Sequence, residues 1–478
     1  MSFPRYPAYK DSGVEWLGEV PEHWEMVPLG TISTSLQTGP FGSQLHSSEY
    51  VDNETPVINP SNIQNGRLVI DPSSTVGPEV LLRLERHRLL PGDIVVGRRG
   101  EMGRCAVVTD ESSGWLCGTG SLRVRLQPSA TSEFVGVHLR TDFVREWLSL
   151  QSVGSTMENL NTSILARVPV PYPPVLEQQA VVEFLDRETD KIDALVAEQE
   201  KMIELLKEKR QAVISHAVTK GLDPSVPMKD SGVEWLGEVP AHWAVVRLKR
   251  VAHVQTGVAK GKDNTGRKTL EVPYMRVANV QDGYLDLEDV ATIDMPEDDL
   301  ARYLLECGDV LMNEGGDFDK LGRGHIWDGS IEPCVHQNHV FAVRPFGVSS
   351  EWLNLFTGSF AAQFYFMSRS KQSTNLASIS SSNLMELSVP LPSAAECDEI
   401  VRYVAEKVSA FEALASSAER SKSLLQERRS ALISAAVTGQ IDVRGLADRM
   451  TTPDSIAAHA DSTPTQGRFD SESAEHAA

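Results

Sequence analysis

Residues 207–221 read KEKRQAVISHAVTKG, and residues 426–440 read QERRSALISAAVTGQ. Arg210 matches Arg429, Ser215 matches Ser434 and Thr219 matches Thr438, each pair 219 residues apart. The match runs back to the openings of both stretches, PPVLEQQAVVEFLD (173–186) and PSAAECDEIVRYVAE (392–406), where Glu177 meets Glu396. A repeat has to be recognised before any fold is assigned, because both copies must then be the same kind of element.

That element is a helix. Leu185, Ile192, Leu195, Met202, Leu206 and Val213 recur at spacings of seven, three and four, a heptad seam with Glu188, Gln199 and Lys209 as polar interruptions. Val404, Phe411, Leu414, Leu425 and Leu432 carry the register in the second copy. Pro173 and Pro174 suit a helix start, and Gly221 a stop. At 1.5 Å per residue each helix is on the order of 60 Å long. One small domain cannot bury so long a stripe, so the expected partner is the other copy, antiparallel. Two unrelated surface helices would not share a register.

A second repeat has the same offset. Residues 9–24, YKDSGVEWLGEVPEHW, return as MKDSGVEWLGEVPAHW at 228–243. Its Gly and Pro residues argue against regular structure, and its Trp, Leu and Val side chains suggest a joint docked on an apolar surface; a partner-docking strip is the other reading. If the molecule closes on itself, residues 9–24 belong beside Ala436 to Asp442.

The chain therefore divides into a joint (1–24), a module (25–172), a long helix (173–221), a second joint (222–243), a second module (244–392), a second long helix (393–440) and a tail (446–478). The fold class is α+β: two mixed α/β modules in a pseudo-twofold arrangement, separated by two long antiparallel coiled-coil helices. In the first module Val57-Ile58, Leu68-Val69-Ile70, Ile94-Val95-Val96, Ala106-Val107-Val108 and Leu122-Arg123-Val124-Arg125 read as short strands. Phe134 to Leu150 reads as helix, with Phe143, Trp147 and Leu150 on one face. The second module echoes the turns: PGDIVVGRRGEMGRCAVV (91–108) with CGDVLMNEGGDFDKLGRGHIW (307–327), SNIQNG (61–66) with ANVQDG (278–283), and Val124-Arg125 with Val343-Arg344. The loops between these turns diverge, as they would in a device reading two different things, or after simple drift.

The net charge of −21 is unusual for a chain that holds DNA alone. The tail contributes six acids and two bases, −4 in all, and its Ser, Thr, Ala, Asp and Pro content predicts disorder. Five scattered cysteines with no CxxC pair suit reduced thiols in a cytoplasm. The N-terminal MSFPRYPAYKDSG lacks the apolar core of a signal peptide, and no stretch approaches the roughly 20 apolar residues of a membrane span.

Catalytic patterns are missing. There is no GxxxxGK[ST] loop, HExxH or nucleophile elbow, and Asn59-Pro60-Ser61-Asn62 lacks the second Pro and the aromatic residue of a methyltransferase NPPY motif. Asp317-Phe318-Asp319-Lys320 reads as a turn, and His336-Gln337-Asn338-His339, with no nearby carboxylate, is a weak metal pattern. A binding protein fits better, with catalysis left to partners and no metal or cofactor of its own. Candidate contacts lie in TGPFGSQLHSSEY (38–50), with Gly39, Phe41, Gly42, Ser43 and Gln44; at Asn62; and in GRRGEMGR (97–104), with Arg98, Arg99 and Arg104. In the second module they are Lys260 and Lys262 of TGVAKGKDNTGRK (256–268), then Arg276, Asn279, Arg323, Gln337 and Asn338. Arginine pairs bidentately with guanine edges and phosphates, and Asn or Gln with adenine.

DSGVEWLGEVPEHW and its repeat, TGPFGSQL, GDIVVGRRGEMGR, VPVPYPPVLEQQAVVEFLD and EKRQAVISHAVTKG together resemble the specificity subunits of type I restriction-modification systems, over most of residues 9–445. The resemblance implies two target-recognition domains, 25–172 and 244–391, each reading half of a bipartite site in double-stranded DNA. It implies that the helices set the spacer and form a platform for two methyltransferase (M) subunits, which restriction (R) subunits join. S-adenosylmethionine, ATP and Mg would belong to those partners, and this chain would be non-catalytic. The second module departs from the pattern, with GVAKGKD in place of GPFGSQL. The competing reading is a coiled-coil protein-interaction adaptor without DNA specificity; a third, an enzyme in its own right, lacks its motifs.

Overall fold

A computed structural model describes residues 3–41, 44–152, 160–261, 265–316, 321–322, 324–372 and 377–446. The expected tail from 447 onward and the Asp317–Lys320 turn lie outside them. The chain forms two compact units, Met1–Ala197 with Lys422–Ala478, and Glu198–Ser421. The two long helices, Val175–Lys220 and Ala394–Val437, are thus each divided between the units. The reason is packing: each module lies on the near half of both helices and shares a core with it.

In the first unit a four-stranded antiparallel sheet runs Cys105–Val107, Ile94–Gly97, Ser121–Leu126, Ser33–Thr38. Ile94, Val95 and Val96 form an unbroken apolar run because both faces of this sheet are covered. Ile94 and Val96 pack with Phe134, Leu139 and Val144, whereas Val95 packs with Ile58, Leu89 and Cys117. Below it, Leu116–Cys117 runs parallel to Thr55–Ile58 in a second small sheet. The expected helix from Phe134 to Leu150 is two helices, Ser132–Leu139 and Asp142–Ser152. They part where the Thr141 hydroxyl donates to the His138 carbonyl at 2.7 Å. Val144 and Leu148 are buried in the second, while Leu150 is exposed.

The second unit repeats this order: Gly324–Ile326, Val310–Asn313, Val340–Pro345, Ala252–Thr256. The same staple holds both sheets. Arg125 grips the buried Asp93 through Nε and Nη2 at 2.7 and 2.8 Å, and Arg344 grips the buried Asp309 at the same distances. The carboxylates also accept from the backbone N–H of Leu90 and Glu306, each at 2.8 Å. Each guanidinium is held further above its usual range by the carboxylate it meets. The Val-Arg repeat therefore records a structural demand.

The joints are not irregular. Tyr9–Asp11 pairs antiparallel with Glu19–Pro21, and Met228–Asp230 with Glu238–Pro240, in identical register. Gly and Pro fall at the turn and the last paired position, where a two-stranded hairpin tolerates them. Each hairpin ends in His-Trp, and that dipeptide seizes the first turn of a long helix. His23 Nε2 and Trp24 Nε1 lie 2.9 and 3.0 Å from the Glu177 carboxylate; His242 and Trp243 lie at the same distances from Glu396. In the first unit the Tyr6 hydroxyl donates to Glu177 as well. There too, Tyr9 Oη donates to the Gly439 carbonyl at 3.1 Å, and Asp442 N–H donates to the Pro4 carbonyl at 2.8 Å. So the start of one long helix lies beside the end of the other, and they run antiparallel. A second strand pair, Glu25–Pro28 with Pro169–Tyr172, brings the two ends of the first module to that junction; Ala244–Arg247 with Ser388–Leu391 does so for the second.

Between the helices, Asp193 takes the Arg429 guanidinium bidentately at 2.7 and 3.1 Å, and Glu412 meets Arg210 at 3.6 Å. Under the repeat offset these two pairs are one (412 − 193 = 219, 429 − 210 = 219). The seam itself differs from its expected course. Leu195, Met202 and Leu414 are exposed. The inward residues are Leu185, Thr189, Ile192, Val196, Gln199, Ile203, Leu206 and Arg210, matched by Val404, Val408, Phe411, Ala415, Ala418, Lys422, Leu425 and Arg429. Steps of four and three hold the stripe toward its partner, even where that places Thr, Gln, Lys or Arg on it.

Candidate nucleic-acid interface

In each unit the loops that differ between modules gather at one end of the four-stranded sheet. In the first, Gly39 N–H donates to Ser121 O at 2.9 Å, Gly118 N–H to Ile58 O at 2.9 Å and Arg98 N–H to Gly120 O at 2.9 Å. Arg104 Nη1 reaches the Pro60 carbonyl at 3.3 Å. Loops from the ends of four strands are thereby tied backbone to backbone. The tie requires glycine at position 39: a Cβ there would stand 1.8 Å from the Gly118 carbonyl oxygen. Gly257 meets the His336 carbonyl in the same way, at 2.0 Å.

Several candidate contacts serve this scaffold instead of a ligand. Gly39 is buried in the crossing just described. Asn62 is buried, accepting from Asn59 N–H and donating to Val69 O, both at 3.0 Å. Asn279 is buried likewise, accepting from Arg276 N–H and donating to the Asp286 and Asp289 carbonyls, all at 2.9 Å. Both side chains are buried, and these bonds lock the turns to which they belong. That role explains the SNIQNG and ANVQDG echo: an Asn three residues on caps the turn that precedes it.

The others keep some reach. Phe41 and Arg99 are exposed at the loop tips. Arg98 is half-buried, its Nε donating to Leu160 O at 3.1 Å, and desolvation lowers its guanidinium pKa. Arg104 pairs with Glu101 at 3.0 Å, and Glu101 also meets Arg145. Gln44 is half-buried against Phe41 and the Arg83 side chain. In the second unit Lys260 is exposed. Arg276 is anchored on Asp289 at 2.9 and 3.0 Å. Gln337 Oε1 accepts from Val277 N–H at 3.3 Å, and Asn338 Nδ2 lies 3.3 Å from His339 Nε2. Gly42, Ser43, Lys262 and Arg323 lie outside the described residues.

His336, read as part of a weak metal pattern, is buried; its Nδ1 is 2.7 Å from the Val340 carbonyl and desolvation lowers its pKa to about 4. His339 does have a carboxylate beside it: Glu314, 2.7 Å away and 25 residues back, beyond any sequence window for ligand spacing. Among the described residues no group of three His, Cys, Asp or Glu side chains is placed to hold a metal ion.

Two related mixed modules, each hairpinned to a pair of long antiparallel helices and differing in their clustered loops, define a class of duplicated two-module scaffold. Residues 21–205 match the family model described as Type I restriction modification DNA specificity domain. The chain is similar to the "Type I restriction enzyme EcoKI specificity subunit" of Escherichia coli (strain K12), 25% identical over 404 residues, 81% of this chain and 82% of that one. The "Type I restriction enzyme StySPI specificity subunit" of Salmonella potsdam is 24% identical over 401 residues, with the same coverage of both. Among solved structures, one described as "Structural basis underlying complex assembly and conformational transition of the type I R-M system" aligns with TM-score 0.66 at 17% identity, covering 88% of this chain and 99% of that one. The HsdS subunit from Thermoanaerobacter tengcongensis aligns with TM-score 0.50 at 18% identity, over 88% and 98%. The specificity domain at residues 21–205 and the likeness over four-fifths of the chain support a specificity subunit of the type I restriction-modification kind and favour it over the adaptor reading.

Proposed function

We propose that this chain recognises a bipartite site in double-stranded DNA, each module reading one half, and that it scaffolds two methyltransferase subunits, with restriction subunits joining them. The observation that carries this is the contrast within the repeat. Hairpins, helix seams and the staple arginines coincide at the 219-residue offset, and the staple aspartates are 216 apart, while the clustered loops differ in residue type and charge. A duplicated frame with unlike tips fits two unlike half-sites, and the helices between them set the spacer.

Exposed leucines support paired partners. Leu195 (44% exposed) and Leu414 (54%) occupy matched positions off the seam, as do Leu205 (46%) and Leu424 (64%). Each unit thus offers one leucine of this matched set from each helix, Leu195 with Leu424 and Leu205 with Leu414, and a pair present twice suits two copies of one partner. Those partners also answer the charge: a cleft completed by basic subunits holds phosphate around an acidic chain. In this reading the subunit is non-catalytic and holds no cofactor. S-adenosylmethionine, ATP and Mg act in the partners, and the assembly works on cytoplasmic DNA. No described helix is long and apolar enough to cross a membrane.

The test is long-read mapping of methylated adenines in a host carrying this chain with the methyltransferase subunit of its own system. A single bipartite motif with a fixed gap is expected; methylation without such a motif, or none, refutes the reading. Replacing Arg98 and Arg99 with Ala should relax one half of the motif only.

A further inference from the structure

The two sheets present opposite charge at the same backbone position. In the first unit Arg98 N–H donates to Gly120 O at 2.9 Å, and Arg98 O accepts from Leu160 N–H at 3.0 Å. In the second, Glu314 N–H donates to His339 O at 2.9 Å, and Glu314 O accepts from Ile379 N–H at 2.9 Å. Gly120 and His339, like Leu160 and Ile379, are 219 apart, so the repeat fixes the equivalence independently of side chains. The Asp–Arg staple behind each strand holds the frame. Where one module shows a guanidinium, the other shows a carboxylate.

That carboxylate is oriented. Glu314 Oε2 lies 2.7 Å from His339 Nδ1, and Asn338 Nδ2 lies 3.3 Å from His339 Nε2. The Glu314 and His339 side chains are 28% and 58% exposed. Exposed ion pairs contribute little to folding, so bracing is a weak reason for the pair. A carboxylate on a surface that meets phosphate is repelled unless it accepts a hydrogen bond there. In the major groove the available donors are the exocyclic amines, N4 of cytosine and N6 of adenine.

We infer that Glu314, positioned by His339, is a specificity-determining residue of the second module and accepts from the exocyclic amine of a cytosine or adenine. Arg98 and Arg99, at the matched place in the first module, offer donors to acceptor edges instead. The two half-sites then differ in hydrogen-bond polarity at the corresponding base. This rests on the DNA-reading function proposed above.

The experiment uses the full chain purified with its methyltransferase subunit, acting on duplexes substituted one base pair at a time across both half-sites. Glu314→Ala should reduce discrimination at one base pair of one half-site by about ten- to a hundredfold, leaving the other half-site unchanged. Whether the wild-type complex demands cytosine or adenine there names the amine. Glu314→Gln, which keeps an acceptor oxygen and the side-chain shape, should recover part of the discrimination, and it carries the test if the Ala variant does not fold. His339→Ala should blur the same base pair less. Unchanged discrimination in the Gln and Ala variants, or a uniform fall on every duplex, overturns the assignment. A wild-type complex with no preference in either half-site would instead refute the function on which it rests.

Discussion

Gly39 and Gly257 show how little room separates scaffold from reading loop. Any side chain at either position must displace a carbonyl that already accepts a backbone bond. Gly39→Ala should cost about 3 kcal/mol or more, at the upper end of overpacking effects. Gly77→Ala, where nothing lies within 4 Å of the new carbon, is the control. Thermal melts of the two variants check this; equal midpoints would contradict the close crossing. Histidine sets a second limit at this scale. His138 is fully buried with Nε2 2.9 Å from the Pro169 carbonyl, and desolvation lowers its pKa to about 4. His87 and His336 are pushed to about 4 by the same cause. A pKa below the ordinary value of about 6.5 means that the folded state resists protonation. The stability this represents is complete above about pH 6.5 and is lost as pH falls toward 4. For His138 alone the loss approaches about 3 kcal/mol by pH 4. Urea melts between pH 7 and 4.5 should show stability falling, and His138→Gln, which keeps a donor for Pro169, should flatten the slope. An unaltered slope would mean that His138 is not the titrating group.

At the scale of elements, the long helices obey geometry before hydrophobicity. Leu195 and Met202 look like seam residues because they are apolar, yet the stripe passes through Thr189, Val196, Gln199 and Ile203. The four-three stepping counted from Ile192, and its match to Phe411, Ala415, Ala418 and Lys422, would have found the true seam. Because the seam is regular, a heptad can be removed without changing which face is buried. Deleting seven residues from each helix at matched positions shortens each by about 10 Å, close to three base pairs of duplex. The methylated motif should keep both halves and lose about three base pairs from its gap. Changed halves, or an unchanged gap, would break the link between helix length and spacer.

For the whole molecule, the exposed leucines give the clearest handle. Leu195→Asp with Leu424→Asp lies in the first unit, and Leu205→Asp with Leu414→Asp in the second. Each pair should cost one methyltransferase copy, seen by native mass spectrometry as a one-to-one complex in place of two-to-one. Retention of both copies would move the docking surface elsewhere. All four changes fall on exposed helix positions, so the chain should stay folded.

The repeat, the antiparallel helices, the two mixed modules and the likeness to specificity subunits were all legible in the chain itself. A 219-residue offset constrains whole elements, and amphipathic spacing is a local property of the chain. The candidate interface was legible only as loops. Asn62, Asn279 and Gly39 carry the residue types of contacts, but folding spends them on turns and crossings. The Glu314–His339 pair joins residues 25 positions apart across two strand ends, and the Glu177 cluster gathers Tyr6, His23 and Trp24 from 153 to 171 positions away. Which polar groups are consumed and which are left to meet a ligand depends on non-local backbone pairing, and that is decided only when the strands and helices close on one another.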